Sequence, residues 1–476
     1  MTKGQPAMRF WQTVGLILVL SVVGLTYEIA AGRVLAPFFG TSLVTWTTVI
    51  AVVLAGFSLG SALGGLIAER ERDIAAQSVR RALIATAVLM ALSPTILSVL
   101  YGWGARGTGG MVFSVIVAFF PASVLVSFPS PFLAKLAVEA RPGREGSSLG
   151  VVLAAGSLGA IVGAVLAGFV ALPLVGSALT FAACGAIALL CVPFVRGGAH
   201  SVFGVVAPAG LILALSLPNG SVCQYESGLS CIDVRQRGDE IRLFSDRTTQ
   251  AAERVNPDDA APNEDPLVLP YSRVIWAQMA RDLAADATVL FVGGGGYTLP
   301  SQLLSKRPMS QAVTVEIDPL VTAVVQENLP WAGALIRDND RLDIVHADGR
   351  MYINETQRRF DAVVMDAFSS GSVPAHLATL ETYERLKEIV DGPVYVNLID
   401  QPDGKLARGT HAILTQLYPH VSAVMGPISR RGYANIILIA APTPNVIMEP
   451  LPAGFAPTTL GASRAFTDDR GWIGHR

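Results

Sequence analysis

Glycines and acidic residues end several short apolar runs in the second half of the chain, where their types and order are suited to binding and catalysis. Each of these runs has the length and composition of a buried strand. In chain order the groups are glycines 293–296, Glu316, Asp348 with Gly349, and Asp366. In open α/β sheets ligands bind at the carboxyl ends of the strands, so we expect the ligand to lie among these groups.

These residue types are suited to a ligand that contains adenosine. Glycines after a strand let a ligand approach the backbone closely, and an acidic residue that ends the next strand is placed to bind two ribose hydroxyls. Asp348 can accept a hydrogen bond from an adenine amino group. In the alternative interpretation the glycines only make a tight turn and the acids cap helices. The loop has neither the Lys-Ser/Thr of a P-loop nor a clean G-x-G-x-x-G, which disfavours NAD.

Alternating strands and helices must position these groups. Strands are predicted at residues 288–292, 312–317, 342–345, 362–365, 394–398 and 436–439. This alternation predicts a Rossmann-like, methyltransferase-type α/β domain over residues 271–442, with a mostly parallel, doubly wound sheet. Residues 221–270 read as a small β subdomain and linker, with a hairpin that turns at Arg237-Gly238-Asp239. Residues 443–476 form a Pro-rich tail that we expect to be loosely ordered.

The first half of the chain has the composition of a membrane domain. Of the 476 residues 51% are hydrophobic and 15% charged, and the mean hydropathy is +0.48, unlike an ordinary soluble enzyme. Within residues 1–220, six apolar runs have the length of a membrane span and a seventh is shorter. They are residues 14–31, 43–67, 83–100, 111–138, 151–172 and 178–195, then 202–217. We therefore expect a membrane α-helical bundle of six or seven spans, with small residues such as Gly56, Gly60 and Gly64 at helix contacts.

The positions of lysine and arginine predict how this bundle is oriented. With a cytoplasmic N-terminus, ten basic residues of the first half lie on the cytoplasmic side and only Arg33 and Arg106 on the other. We therefore predict a multi-pass protein of the bacterial cytoplasmic membrane, with the lipid bilayer as a partner. Six spans would return the α/β domain to the cytoplasm and seven would place it outside, and the sequence leaves this open.

Charge and metal-ligand patterns exclude other classes of protein. The chain after residue 220 has a net charge of −8, against +6 before it, which argues against a nucleic-acid partner. The histidines and cysteines form no metal-ligand pattern, so we predict no metal. Cys184 and Cys191 lie in an apolar run, whereas Cys223 and Cys231 would pair only in an oxidising compartment. A homo-oligomer stays open.

Three motifs carry a family resemblance. Residues 246–254 read DRTTQAAER, residues 315–318 read VEID, and Asp366 opens the segment DAFSSGSVPAHL. In these segments the chain resembles the polyamine aminopropyltransferases, the spermidine synthase family, and most closely their bacterial membrane-fused branch. The resemblance implies a nucleoside sulfonium substrate, either S-adenosylmethionine or its decarboxylated form. A nucleophile would attack a carbon beside the sulfur and release methylthioadenosine.

The resemblance also implies roles for individual residues. Gln250 and Glu316 would bind the nucleoside, with Asp348 at the adenine. Because an amine is protonated near pH 7, Asp366 would take a proton from the attacking amine. The predicted catalytic residues are Asp366 and Tyr297, and the predicted nucleoside-binding residues are Gln250, Gly293, Gly294, Gly295, Glu316, Asp348 and Gly349.

Three departures from the family pattern bear on the substrate. The family's glycine loop reads G-G-G-D-G, whereas residues 293–297 read GGGGY and lack the aspartate. Ser369 replaces a second aspartate of the family. After Tyr271, Ser272-Arg273 replaces the family's His-Glu. Losing carboxylates leaves a di-cationic amine unpaired. Arg273, if it reaches the pocket, favours a carboxylate instead.

We therefore expect the enzyme to cleave intact S-adenosylmethionine at its γ-carbon. The group would pass to an unidentified acceptor, or the substrate's own carboxylate would attack internally and give a lactone. One alternative is ordinary aminopropyl transfer from the decarboxylated donor to an amine. The other is a transporter or sensor that binds polyamine or nucleoside without turnover.

Overall fold

Long apolar stretches form the helices of the first half of the chain, and short apolar runs form the strands of the second. The computed structural model describes residues 10–40, 42–195, 207, 209–214, 216, 222–246, 248–255, 266–367, 373–430 and 432–470. The chain divides into two units, Met1–Cys231 and Ile232–Arg476.

The first unit is helical over the first six apolar runs, and the seventh run lies only partly within the described residues. Its helices are α1 (Phe10–Phe39), α2 (Leu43–Ala68), α3 (Arg72–Gly102), α4 (Gly107–Ser127), α5 (Pro129–Glu139), α6 (Glu145–Leu166) and α7 (Leu172–Cys191). A π-helical turn, Ala167–Ala171, joins α6 to α7, and a 3₁₀ turn, Val192–Phe194, follows α7. Five helical stretches of the described residues are long and apolar enough to cross a membrane, with α4 and α5 counted as one, Gly107–Glu139.

The fifth of these stretches contains two of the predicted runs. It extends over 50 residues, Glu145–Phe194. A straight helix of that length would be about 75 Å long, more than twice the roughly 30 Å hydrocarbon core of a bilayer. Its backbone breaks at Gly176, where φ is 73°, and this break separates the runs 151–172 and 178–195. Five helical stretches therefore accommodate six apolar runs.

Small residues bring the helices of this unit into contact. A Cβ atom at Gly56, Gly60 or Gly64 of α2 would collide with α4 or with the start of α5. A Cβ atom at Gly159 or Gly163 of α6 would collide with the backbone of α1. Glycines at four-residue spacing thus permit close approach of neighbouring helix backbones.

The second unit alternates strands and helices. After β1 (Tyr225–Glu226) in the first unit come β2 (Cys231–Arg237), β3 (Glu240–Ser245), β4 (Thr248–Arg254), α8 (Pro270–Asp282), β5 (Thr288–Val292), α9 (Thr298–Lys306), β6 (Gln311–Glu316), α10 (Pro319–Asn328), α11 (Pro330–Asp338), β7 (Leu342–His346), α12 (Gly349–Glu355), β8 (Ala362–Met365), α13 (Leu380–Ile389), β9 (Val394–Asp400), α14 (Lys405–Leu417), β10 (His420–Met425), β11 (Ala434–Ala441) and β12 (Ala456–Thr458). Strands β2, β3 and β4 pair antiparallel, and β2 turns into β3 at Gly238 and Asp239.

The large sheet has the order β12-β10-β11-β9-β8-β5-β6-β7. Strands β5 to β9 pair in parallel, whereas β10, β11 and β12 add an antiparallel edge. The central strands are buried on both faces, as in Val289, Leu290 and Val292 of β5, which explains their continuous apolar sequence. The carboxyl ends of the parallel strands therefore meet at one edge.

The Pro-rich tail packs against the α/β domain as far as residue 470. Strand β12 pairs with β10, and the ring of Phe466 lies against Gly409 of α14. Asp468 accepts a hydrogen bond from Thr379 at 2.8 Å and pairs with Arg350 at 3.0 Å. The expectation of a loosely ordered tail is wrong for residues 443–470, because side chains distant in sequence provide its partners.

Candidate active site

The glycine loop turns sharply between β5 and α9. Gly293 and Gly295 have φ values of 101° and 51°, a region that side chains rarely adopt. A Cβ atom at Gly293 would collide with the backbone carbonyl of Asp366. The loop thus lies directly against the end of β8, and glycine is required for that contact.

Glu316 holds this loop from the end of β6. Its Oε2 accepts hydrogen bonds from the backbone N–H groups of Gly294 at 2.8 Å and Gly295 at 3.3 Å. Its Oε1 accepts one from Asp318 N at 2.9 Å. Burial raises the pKa of this carboxyl, and the three N–H donors partly offset that effect. Glu316 therefore fixes the loop conformation, and ribose binding by Glu316 stays a prediction.

Asp366 is held in the pocket by two donors. Its Oδ1 accepts a hydrogen bond from Asn397 Nδ2 at 2.8 Å, and its Oδ2 accepts one from the Tyr271 hydroxyl at 3.0 Å. Asn397 in turn accepts a hydrogen bond from Asn435 Nδ2 at 3.0 Å. Burial raises the pKa of Asp366 from 3.8 to about 6, although both donors act to lower it. The same burial, together with the charge of Asp366, raises the pKa of Tyr271 well above its ordinary value.

The pocket around Asp366 is lined by the glycine loop, β4, α8 and the strand ends. Gln250 on β4 lies in it, and nucleoside binding by this side chain stays a prediction. Among the described residues that line it, Asp366 is the one carboxylate, and none is a lysine or arginine. The lining comprises Thr249, Gln250, Leu269, Pro270, Tyr271, Phe291, glycines 293–296, Thr298, Leu299, Pro300, Val364, Asp366, Asn397, Ile399 and Asn435.

Asp348 and Gly349 lie at the start of α12. Asp348 Oδ1 caps the helix by accepting hydrogen bonds from Arg350 N at 2.8 Å and Met351 N at 3.1 Å. Its Oδ2 lies 3.1 Å from His376 Nε2. Gly349 packs against Val292 at the end of β5. The helix-capping alternative thus holds for Asp348, and adenine recognition stays a prediction for its second oxygen.

Tyr297 does not line the pocket. Its side chain is fully buried, and its hydroxyl lies 2.7 Å from Thr322 Oγ1. The ring lies against Gly294 and thereby supports the loop. A catalytic role for Tyr297 stays a prediction, and its backbone is left-handed (φ 55°) with the side chain in the core, outside the described pocket lining.

Two departures from the family pattern have structural consequences. Arg273 Nε donates a hydrogen bond of 2.5 Å to the backbone carbonyl of Leu267, and Arg273 is absent from the pocket lining. A Cβ atom at Gly296 would collide with Ala251 of β4, so a side chain at this position would force the loop or β4 to shift. Ser369, the third departure, lies outside the described residues.

Tyr271, Asn397 and Asn435 were not predicted as site residues. The signal for Asn397 is one amide in the otherwise apolar run at the start of β9, and Asn435 similarly opens the apolar β11. The described residues contain no group of three His, Cys, Asp or Glu side chains that could hold a metal ion.

Known proteins resemble this chain in sequence. The family described as spermine/spermidine synthase domain matches residues 270–401. Polyamine aminopropyltransferase 1 of Streptomyces coelicolor is 24% identical over 407 residues, which cover 80% of this chain and 74% of that protein. Polyamine aminopropyltransferase 1 of Bacillus cereus is 29% identical over 150 residues, 31% of this chain and 52% of that protein.

A solved structure of a probable spermidine synthase from Corynebacterium glutamicum has a TM-score of 0.41 and 22% identity, over 46% of this chain and 79% of that chain. The family match covers the glycine loop and the residues Tyr271, Glu316, Asp366 and Asn397 described above. Residues 270–401 of this chain thus resemble the spermine/spermidine synthase family.

Proposed function

We propose that the protein is an aminopropyltransferase that uses a nucleoside sulfonium donor and an amine acceptor. The observation that carries the proposal is Asp366, a carboxylate in the pocket beside the glycine loop, oriented by Tyr271 and Asn397. A carboxylate with a pKa raised to about 6 is still ionised near pH 7 and is a stronger base than an ordinary aspartate.

The reaction follows from this arrangement. The amine nitrogen attacks the carbon beside the sulfonium, a C–N bond forms, and the C–S bond breaks. Both electrons of the broken bond stay on sulfur, so methylthioadenosine leaves as a neutral thioether. Asp366 takes the proton that the attacking nitrogen must lose. Gln250, Glu316 and Asp348 would bind the nucleoside, with the backbone of the glycine loop beside it.

The lining of the pocket favours the decarboxylated donor over intact S-adenosylmethionine. A carboxylate on the donor would need a cationic partner, and the described lining contains none. The expected partner, Arg273, bonds to the backbone at Leu267 instead. The named relatives are polyamine aminopropyltransferases. This also favours aminopropyl transfer over the cleavage of intact S-adenosylmethionine that the departures from the family pattern predicted.

A second candidate is cleavage of intact S-adenosylmethionine without an added amine. It is favoured by Gly296, where contact with Ala251 leaves no room for the acid that would hold the amine of an aminopropyl chain. Internal attack by the donor's own carboxylate would then give a lactone and methylthioadenosine. No comparison favours a transporter or sensor, and we do not propose one.

The experiment offers each donor to the purified full-length protein with and without putrescine. Mass spectrometry of methylthioadenosine and of the alkylated amine gives the products. We expect methylthioadenosine from the decarboxylated donor only when an amine is present. Asp366→Asn should abolish this turnover, whereas Asp338→Asn, at an exposed position at the end of α11, should leave it unchanged.

Release of methylthioadenosine and a lactone from intact S-adenosylmethionine alone would replace the first proposal by the second candidate. In that case Asp366→Asn should lower the rate without abolishing it, because no amine is deprotonated. Absence of methylthioadenosine under every condition, from protein that binds the nucleoside, would exclude both candidates.

A further inference from the structure

We propose that the chain crosses the membrane seven times, so that the α/β domain begins on the extracytoplasmic side. Within the first unit, buried apolar side chains form two clusters. The N-terminal cluster contains Phe10, Val14 and Ile17 from the start of α1. The distal cluster contains Val23, Tyr27 and Phe38 from its later turns. Helix α1 therefore extends from one cluster to the other.

Each later helical stretch also joins the two clusters. Helix α2 starts with Val49 and Val53 in the distal cluster and ends at Ala68 in the N-terminal cluster. Helix α3 runs the other way, from Ala75 in the N-terminal cluster to Leu97 in the distal cluster. Two contacts on the N-terminal side agree with this order. Lys135 of α5 donates a hydrogen bond of 2.7 Å to the carbonyl of Ala68, and the Arg141 guanidinium lies 3.5 Å from the centre of the Phe10 ring.

The long stretch Glu145–Phe194 makes two of the crossings. Val152 and Ala155 of α6 belong to the N-terminal cluster, and Leu172 belongs to the distal one. After the break at Gly176, α7 passes Phe181 in the distal cluster and ends at Cys191 in the N-terminal one. Six crossings thus return the chain at Val195, which also lies in the N-terminal cluster.

The described residues that follow lead back to the distal side. Ala209 belongs to the N-terminal cluster. Leu213 contacts Gly185, which lies between the two ends of α7. Val222 packs against the distal cluster. Ala209 therefore lies on the N-terminal side and Val222 on the distal side, and the proposed seventh crossing lies between these two positions.

The segment 222–231 is fixed at the distal side by two hydrogen bonds. Arg33 Nε, near the end of α1, donates to the carbonyl of Ser227 at 3.2 Å. Ser177 Oγ, just after the break at Gly176, donates to Glu226 Oε2 at 3.0 Å. Cys223 and Cys231 within this segment form a disulfide. Disulfides persist in oxidising compartments, so the distal side corresponds to the exterior of the cell.

The distribution of basic residues supports the same orientation independently. The loops at Arg70 and Arg72, and at Arg141 and Arg144, lie on the N-terminal side, where the positive-inside rule places the cytoplasm. Cys231 is the last residue of the first unit, and Ile232 follows it directly in the chain. The second unit therefore begins on the extracytoplasmic side of the membrane. If the proposed function holds, the donor is a permanent cation that does not cross lipid unaided, so a transport step must supply it.

Labelling of single cysteines tests this topology in bacterial spheroplasts that express the full-length protein. The variants are Gln236→Cys in the exposed part of β2, Trp103→Cys as the distal control, and Glu71→Cys as the cytoplasmic control. The native Cys184 and Cys191 are buried and Cys223 is bonded to Cys231, so the introduced thiol is the reactive one. A membrane-impermeant maleimide is applied before and after permeabilisation.

We expect Gln236→Cys and Trp103→Cys to react fully before permeabilisation, and Glu71→Cys only after it. Labelling of Gln236→Cys only after permeabilisation would overturn the proposal. Protease added to spheroplasts of the unmodified protein gives a readout that needs no variant, and it should remove the α/β domain. Trapping of Cys223 and Cys231 as free thiols in these cells would contradict the proposal as well. None of these readouts depends on catalysis, so they fail independently of the proposed function.

Discussion

The hydroxyl of Tyr271, at the start of α8, donates a 3.0 Å hydrogen bond to Asp366 Oδ2 at the end of β8. Tyr271→Phe removes this donor while the ring remains. Since the bond stabilises the ionised carboxylate, its loss should raise the pKa of Asp366 by roughly one unit and lower the rate at neutral pH. The measurement is kcat/KM against pH. Tyr418→Phe, which removes a buried hydroxyl outside the pocket, should leave the profile unchanged.

The pKa of Asp366 predicts the pH dependence of the unmodified enzyme. Burial raises this pKa from 3.8 to about 6, and the ionised form is the base. We therefore expect kcat/KM to rise with pH, to reach half of its maximum near pH 6 and to level off roughly one pH unit higher. Glu253, buried beside α11, has a pKa raised to about 7, and its ionisation would produce a similar rise of kcat/KM with pH. If the rise of kcat/KM shifts to higher pH in Tyr271→Phe, it reports the ionisation of Asp366. If the rise stays at the same pH, Asp366 is not the base.

The same shift predicts how stability depends on pH. The folded state binds the Asp366 proton more tightly than the unfolded state, so stability is highest below about pH 4 for this group alone. It falls as the pH rises through about 6. Asp366→Asn should remove this contribution. Thermal unfolding at pH 5 and pH 7 should show a smaller difference in Tm in the variant than in the parent protein.

Glu316 should contribute to nucleoside binding through its carboxylate. Glu316→Gln replaces one carboxylate oxygen, which accepts an N–H group of the glycine loop or of Asp318, by an N–H donor, and we expect methylthioadenosine to bind about 1–3 kcal/mol more weakly. Calorimetric titration measures this. Glu327→Gln, on an exposed position of α10, is the matched control. Unchanged affinity in Glu316→Gln would exclude the nucleoside from this part of the loop.

The contact between Gly296 and Ala251 should couple the loop to β4. Gly296→Ala forces the added Cβ against Ala251, and we expect a loss of about 1–3 kcal/mol in stability with weaker nucleoside binding. Ala251→Gly in the same chain should restore part of both, since it removes the colliding atom. A double-mutant cycle on Tm and on binding affinity measures the coupling. Additive effects would show that the two positions do not meet in solution.

Local patterns in the sequence predicted the order of elements and the edge of the sheet at which the candidate residues lie. Apolar length identified the helices of the first half, and short apolar runs identified β5 to β9 because strands buried on both faces have continuous apolar sequences. The glycine loop and the acids that end the strands followed from chain order, because parallel strands bring their carboxyl ends together. Gln250 was found through its motif rather than through any local pattern.

Side-chain direction and long-range contacts determined what these patterns could not predict. Tyr297 follows the glycine loop in sequence, yet its left-handed backbone directs the ring into the core. Asp366 acquires its partners from Tyr271 and Asn397, which lie 95 and 31 residues away in the chain. Arg273 lies two residues after Tyr271 but bonds to the backbone of Leu267. Neighbours in sequence point to different surroundings once helices and strands are packed, so the chemistry of a pocket depends on the fold that assembles it.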